Sequence, residues 1–437
     1  MSKTISGFSK KTKTEKIQWL MDTFLEGDKS HETTLKRYWN SDASVQKLHD
    51  DFIENTLSNY YLPFAVAPNF KINGALYAIP MVIEESSVVA AASNAAKFWL
   101  SRGGFTTEVI STEKNGQVHL NFFGNKEDIQ SYFEWIKPKL IESIAPLQKN
   151  MQKRGGGLLS IELKDCTYTL DGYYQLHATF ETLDAMGANF INSCLEQFAK
   201  TFETEAQSFK AFQKRNHFPK VVMSILSNYV PHCIVKAMVS CPVSELAHHD
   251  CDGKTFAENF VRAIEIAKVE PHRAVTHNKG IMNGVDAVIL ATGNDFRAVE
   301  AGVHAYASRD GRYSSLSEAT IEGDIFKFWI EIPLAVGTVG GLTSLHPLVK
   351  VALKILQNPT AKGLMQIVAV AGLAQNFAAI RSLITTGIQK GHMKMHLMNI
   401  LNQLNATEKE KKQAVTYFKE HNISHSEVMN YIETLRT

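Results

Sequence analysis

Between about Gly104 and Asn228 the hydrophobic period changes repeatedly, and the order of the changes limits what this chain can become. Alternating apolar residues predict a strand over Val118–Phe123, and a three-to-four-residue period predicts a helix from about Glu127 to Gln152. Two further strands, Leu158–Leu170 and Tyr173–Leu183, flank the turn Asp171-Gly172; a helix follows Gly187, and a last strand covers Val221–Leu226. The order β-α-β-β-α-β is that of the split, ferredoxin-like arrangement. The segments on either side have a different character, so the module reads as an insertion. The predicted fold class is α+β: a discontinuous large α/β domain (1–108 and 227–387), an inserted ferredoxin-like βαββαβ domain (109–226) and a C-terminal helical flap (388–437). A chain of 437 residues suits such a division into domains of roughly 100 to 200 residues.

The flanks carry their own punctuation. Thr12–Leu25 predicts an amphipathic helix, and Ile53–Ile83 predicts extended segments broken by Pro63, Pro68 and Asn73-Gly74, a lead-in rather than a domain. Glu84-Glu85-Ser86-Ser87, then VVAAASNAAKFWLSR and Gly103-Gly104, predicts a helix with both acids in its first turn. Helices rich in Ala and Gly resume after Asn228, including Phe296–Ala307 and a long apolar region from Leu348 to Ile384. The tail is helical and then strongly charged around Lys409, Glu410, Lys411 and Lys412.

Charge and cysteine usage exclude several classes. Lys plus Arg is 46 against 44 for Asp plus Glu, so no net field draws the chain to nucleic acid or an anionic membrane. The basic start through Lys3, Lys10, Lys11 and Lys13 is followed by no apolar signal core, and no run of about 18 uncharged apolar residues predicts a span. The expectation is a cytoplasmic protein without a membrane anchor. The 5 cysteines are odd in number and lack C-x-x-C spacing, which predicts reduced thiols and no structural zinc. His248-His249-Asp250-Cys251-Asp252 has metal-binding residue types, but adjacent residues cannot all face one ion without a special loop, so it reads as a solvated turn.

Neither G-x-G-x-x-G nor a P-loop is present. Asp184-Ala185-Met186-Gly187-Ala188-Asn189 ends a strand and opens a helix, which suits either a phosphate or an ordinary cap. Lys279, between Asn278 and Gly280, reads as a surface lysine or as an ammonium for a developing oxyanion. Asp295 reads as the N-cap of the next helix or as a catalytic acid, while macrodipole stabilisation suffices to explain Glu84 and Glu85. His392 and His396 share a helical face, but the intervening Met393-Lys394 lack the acid of H-E-x-x-H, so no metal site is predicted there.

Together the strings IEN at Ile53, IEESSVVAAAS, DAMGAN, HNKGIMNG, ATGNDFRAVEAGVHAYA, VGTVGG, GLAQN and GHMKMH occur in one order along nearly the whole chain. In this the sequence resembles the hydroxymethylglutaryl-coenzyme A (HMG-CoA) reductases, in particular class II. The resemblance implies interconversion of HMG-CoA with mevalonate and CoA through a hemithioacetal and mevaldehyde, using two NAD(P)H and no metal. It implies Glu85, Lys279, Asp295 and His392 as catalytic residues. Lys279 would stabilise the carbonyl oxyanion, His392 would protonate the departing thiolate, and Glu85, coupled to Asp295 and Lys279, would protonate the alkoxide. Arg273, Ser87, Asn283 and His396 would bind substrate, with Arg273 pairing the free carboxylate. Asp184, Met186, Gly187, Asn189 and Asn228 would hold the dinucleotide in the inserted, non-Rossmann domain.

Where an NADH-using relative carries an acid for the ribose 2'-hydroxyl, this chain has Gln148, with Lys149, Lys153 and Arg154 close by; NADPH is therefore preferred over NADH. A second departure is Met398, where some relatives have arginine. The resemblance further implies a homodimer, or a multiple of dimers, with shared active sites closed by the flap. The competing readings are a catalytically silent CoA- or nucleotide-binding homologue, the same enzyme degrading mevalonate with NAD, and an RNA-binding sheet that the balanced charge disfavours.

Overall fold

The computed structural model describes residues 3–247, 251–385, 387, 397–418 and 421–436. It comprises two compact units, Met1–Pro63 and Phe64–Thr437. In the first, α1 (Lys13–Phe24) opens on a capping box in which the Thr12 side chain accepts from the Glu15 N–H and the Glu15 carboxylate accepts from the Thr12 N–H. Helices α2 (Lys29–Arg37) and α3 (Ala43–Asp50) follow, capped by Asp28 and Asp42. Neither helix is predicted above, because their turns hold too few apolar residues to show a period. Lys13 ties the unit together, reaching Asp50 at 2.7 Å and lying over the Trp39 ring. Residues 53–63, expected to be extended, form turns and irregular chain.

The second unit begins with the hairpin β1 (Phe64–Ile72) and β2 (Ala75–Val82), turned at Asn73-Gly74 with φ of 48° and 88°. Positive φ at both central residues is what a two-residue hairpin requires. Pro68 does not end the strand; it sits in a bulge between Ala67 and Phe70. Helix α4 (Val88–Leu100) starts later than predicted, because Ser87 adopts a left-handed φ of 77°. Glu84 and Glu85 therefore precede the helix instead of occupying its first turn. Strand β3 (Thr106–Val109) follows.

The next stretch contains β4 (Lys114–Asn121), α5 (Lys126–Ser143), α6 (Ala145–Gln152), β5 (Gly157–Asp165), β6 (Tyr173–Glu181), α7 (Ala188–Ala206), α8 (Lys210–Arg215) and β7 (Lys220–Leu226). Its antiparallel sheet has the order β5-β6-β4-β7. Val118, Leu120, Leu176 and Phe180 on one face pack with Ile129, Phe133, Leu195 and Phe198 into a core of their own. The single helix predicted over 127–152 is two, broken at Ile144 just ahead of Pro146. Strand β5 ends at Asp165, whose carboxylate accepts from the Thr167 N–H and hydroxyl and opens the loop early.

The chain then adds β8 (Ile234–Pro242), α9 (Gly253–Val269), α10 (Pro271–Ala291), α11 (Phe296–Tyr306), β9 (Ser317–Glu322), β10 (Ile325–Pro333), α12 (Leu342–Leu345), α13 (Pro347–Ile355) and α14 (Ala361–Ile384). A second antiparallel sheet has the order β3-β8-β10-β9. Thr106 pairs with Met238 and Val109 with Val235, so the chain leaves this sheet before β4 and returns to it after β7. Helix α14 is long and apolar enough to cross a membrane by composition, although no such run was expected; 67% of that window is buried, and it carries Gln375 and Asn376, so it serves as a core helix. A Cβ on Gly284 of α10 would lie 2.3 Å from the Ala371 carbonyl oxygen, and one on Gly372 would lie 2.9 Å from Val285. Glycine at both positions lets α10 and α14 touch backbone to backbone.

After α14 come a helix over 397–403 and the helices Glu408–Tyr417 and His425–Arg436, joined by a small core of Leu397, Leu401, Ala414, Val428 and Ile432. Met398 packs against this core. His392, His396 and the histidines of the 248–252 segment lie outside the described residues. All five cysteines are free thiols.

Candidate active site

The close crossing of α10 and α14 sets the floor of a cleft of about 600 Å³ whose wall is the turn before α4. Helical spacing brings Thr276, Lys279 and Asn283 of α10 to it, and Gln375, Arg381 and Ser382 of α14. The turn supplies Glu85 and Ser87. Glu84 is exposed while Glu85 is half-buried, which separates the two adjacent acids. Lys279 Nζ donates to Glu85 Oε2 at 2.5 Å, joining residues that lie 194 positions apart in sequence. Of the predicted substrate residues, Ser87 and Asn283 line the same cleft. Arg273 lies one turn before Thr276 on α10; burial depresses its pKa, and among the described residues no carboxylate offsets the effect. The neighbouring His277 is buried, bonds Ser317 Oγ at 2.6 Å and is pushed down to about 3, so it is a neutral structural group.

Asp295 lies in a different depression, of about 390 Å³, built where three loops meet. Its carboxylate caps α11, accepting from the Arg297 and Ala298 N–H groups at 3.1 and 3.2 Å. Beside it are Gly293-Asn294, the glycine loop 337–341 and the turn 184–189. The Asp184 carbonyl accepts from Thr338 N, the Asn294 side chain accepts from Gly337 N, and Ala185 bridges to Val339. The Asp184 carboxylate accepts from the Ala361 N–H at 2.7 Å, in the first turn of α14, which makes it a clamp on the turn. Met186, Gly187 and Asn189 face the depression. Gly187 has φ of 95°, and a Cβ there would lie 2.5 Å from Thr182 Cγ2. The 19-residue helix α7 starts at this glycine with neither a side-chain cap nor an acid in its first turn. Uncapped N–H groups at the positive end of a long helix suit a pyrophosphate, so the residues present fit a dinucleotide.

Gln148 is placed elsewhere. It is 4% exposed, and its side-chain carbonyl accepts from the Leu158 N–H, so its polar end serves the junction of α6 and β5. Lys149 beside it is exposed, and Asn228 borders a small cavity next to Met186 and Ala188. Sequence reasoning missed Thr276, Gln375 and Arg381. The signal for the first was its helical offset from Lys279; for the others it was polar residues inside an apolar helix. Among the described residues no cluster of three or more His, Cys, Asp or Glu side chains could hold a metal ion.

Residues 14–397 match the family model described as hydroxymethylglutaryl-coenzyme A reductase. The chain belongs to the HMG-CoA reductase family. It is an NAD(P)H-dependent oxidoreductase of that family. The HMG-CoA reductase of Archaeoglobus fulgidus is 36% identical over 409 residues, covering 93% of this chain and 88% of that protein. A probable HMG-CoA reductase of Borreliella burgdorferi is 35% identical, covering 83% of this chain and 81% of its own length. Among solved structures, the HMG-CoA reductase of Streptococcus pneumoniae superposes with a TM-score of 0.72 at 34% identity, covering 99% of this chain and 100% of its own. A class II HMG-CoA reductase from the same organism, bound to NADPH in open conformations, matches with the same TM-score and identity over 94% of this chain and 99% of its own.

Proposed function

We propose that this family member interconverts HMG-CoA with mevalonate and CoA at a site built on the Lys279–Glu85 pair. That pair carries the reading: an ammonium and a carboxylate held together in an open cleft between helices fixed by backbone contact. Lys279 Nζ would hold the thioester oxygen as negative charge gathers on it, and the floor of α14 would keep water away. Arg273, Ser87 and Asn283 would bind the free carboxylate, setting the thioester against Lys279. His392 would protonate the departing thiolate, and Glu85, once it has taken up a proton, would then pass that proton to the alkoxide and return to the carboxylate. His396 would assist in binding CoA.

The residues proposed to hold NADPH are Met186, Gly187 and Asn189 with Asn228, Asp184 fixing their turn, and Lys149 near the ribose 2'-phosphate. NADPH, when bound, supplies hydride. In this reading 109–226 is an inserted, ferredoxin-like cofactor domain, and 388–437 is a flap that brings His392 to the cleft. Asp295, which shares no cleft with Glu85 and Lys279 in one chain, would come from the second copy of a cytoplasmic homodimer.

The test follows nicotinamide absorbance with HMG-CoA and NADPH or NADH, and separately with mevalonate, CoA and NADP or NAD, for the wild type and Lys279→Met. The variant should lose about 10²- to 10³-fold in kcat, as removal of an oxyanion donor does elsewhere. A wild type inactive with both phosphorylated and unphosphorylated cofactors would favour a silent binding protein. A fully active variant would remove Lys279 from the mechanism.

A further inference from the structure

Lys114 opens β4 directly beneath the turn at 182–187, and its side chain is only 4% exposed. Its ammonium donates to Thr182 Oγ1 at 2.5 Å and to the Ala185 carbonyl at 3.2 Å, while the Thr182 hydroxyl donates to that same carbonyl at 2.7 Å. The nearby acids are otherwise engaged. Glu181 accepts from the Thr112 hydroxyl and from the Leu183 N–H, and Asp184 accepts from the Ala361 N–H. Among the described residues no carboxylate forms an ion pair with Lys114, so desolvation is the largest influence on it and pushes its pKa down.

A buried ammonium without an ion-pair partner is expensive, and an apolar side chain of similar volume would make a more stable protein. The charge calls for an explanation outside folding. Two features of the surroundings supply one: the carbonyl it holds belongs to the turn that leads into α7, and α7 begins without a cap or an acid. Direct contact with a ligand is unsuitable, since the cavity that Lys114 lines holds only about 20 Å³.

We propose that Lys114 is a positioning residue for the dinucleotide, its ammonium fixing the Ala185 carbonyl inward and adding positive potential behind the N–H groups that receive the pyrophosphate. The inference rests on the reading that the 184–189 turn binds the cofactor. The buried charge is poorly screened by solvent, so it adds to the field of the helix end a few ångströms away. The carbonyl it restrains would otherwise compete with the amides for the orientation of the turn.

The experiment titrates NADPH by nicotinamide fluorescence against the wild type, Lys114→Met and Lys114→Gln, with melting temperatures recorded without cofactor. Both variants should raise the NADPH Kd about tenfold, the effect of losing one well-placed charge. Both should melt at or above the wild-type temperature, and the KM for HMG-CoA should stay within about twofold. Wild-type affinity in either folded variant overturns the proposal. So does failure to fold, or a parallel loss of NADPH affinity, HMG-CoA affinity and melting temperature, because each marks the lysine as a structural group. Gly187→Val separates the two levels of the reading. If it binds NADPH normally, the turn is not the cofactor site; if it loses NADPH while the Lys114 variants keep it, only the role of Lys114 fails.

Discussion

Lys279 and Glu85 are 58% and 37% exposed, so their attraction adds little to folding; exposed pairs of this kind contribute roughly 0 to 1 kcal/mol. Lys279→Met should therefore melt within a degree or two of the wild type even as turnover collapses, and a large fall in melting temperature would mean that the pair holds the cleft together. Arg273 makes the complementary case. Among the described residues no carboxylate offsets the burial of its guanidinium, and the planar fork would suit an incoming one. Arg273→Lys keeps the charge and loses the fork, so the KM for HMG-CoA should rise about tenfold with the NADPH KM unchanged. Steady-state kinetics with each substrate varied in turn would show this, and an unchanged HMG-CoA KM would move the carboxylate pocket elsewhere. Neither residue could be assigned from its neighbours in sequence. A lysine on a helix looks like any surface lysine until Glu85 is folded beside it, and Glu85 looked like a macrodipole acid because nothing local announces the left-handed Ser87 that delays the helix.

Helix α10 also carries Asp286, which buries a carboxyl oxygen that has no hydrogen-bond partner among the described residues. Burial, and then the Glu300 carboxylate on α11, push its pKa up to about 8, so Asp286 is held protonated at neutrality. An acid whose folded pKa is raised stabilises the fold fully below its unfolded value, about 3.9, and that contribution is lost as pH climbs through about 8. Asp286→Asn keeps a donor toward Glu300 and cannot ionise. Its melting temperature should match the wild type near pH 4 and exceed it increasingly up to about pH 8, where the gap levels off; a difference that stays flat with pH would show that the fold does not hold Asp286 protonated. At this scale much was legible. The alternation of β4, the Asn73-Gly74 hairpin and the start of α7 at Gly187 follow from local chemistry. The bulge at Pro68 and the contact of Gly284 with the Ala371 carbonyl do not, because each is decided by a partner distant in sequence, while the break at Ile144 had a local sign in Pro146 that the helical period outweighed.

For the whole molecule the decisive fact is that one chain keeps its proposed catalytic groups apart. Glu85 and Lys279 share the cleft on α10 and α14, while Asp295 faces the depression beside the turn 184–189. No sequence pattern could reveal this, since the strings HNKGIMNG and ATGNDFRA lie close together in the chain and their separation in space depends on α10 ending at Ala291 and α11 starting after Asp295, which caps it. If two copies complete each other, a site draws Glu85 and Lys279 from one and Asp295 from the other. Lys279→Met and Asp295→Asn would then each be inactive alone, yet a mixed dimer would contain one site with both changes and one with neither. Random reassociation makes about half of the dimers mixed, each with half its sites intact, so unfolding and refolding the two variants together should recover about a quarter of wild-type turnover. Sites completed within a single chain would stay dead in every combination, and a refolded mixture no more active than its parents would assign Asp295 to the chain that carries Lys279.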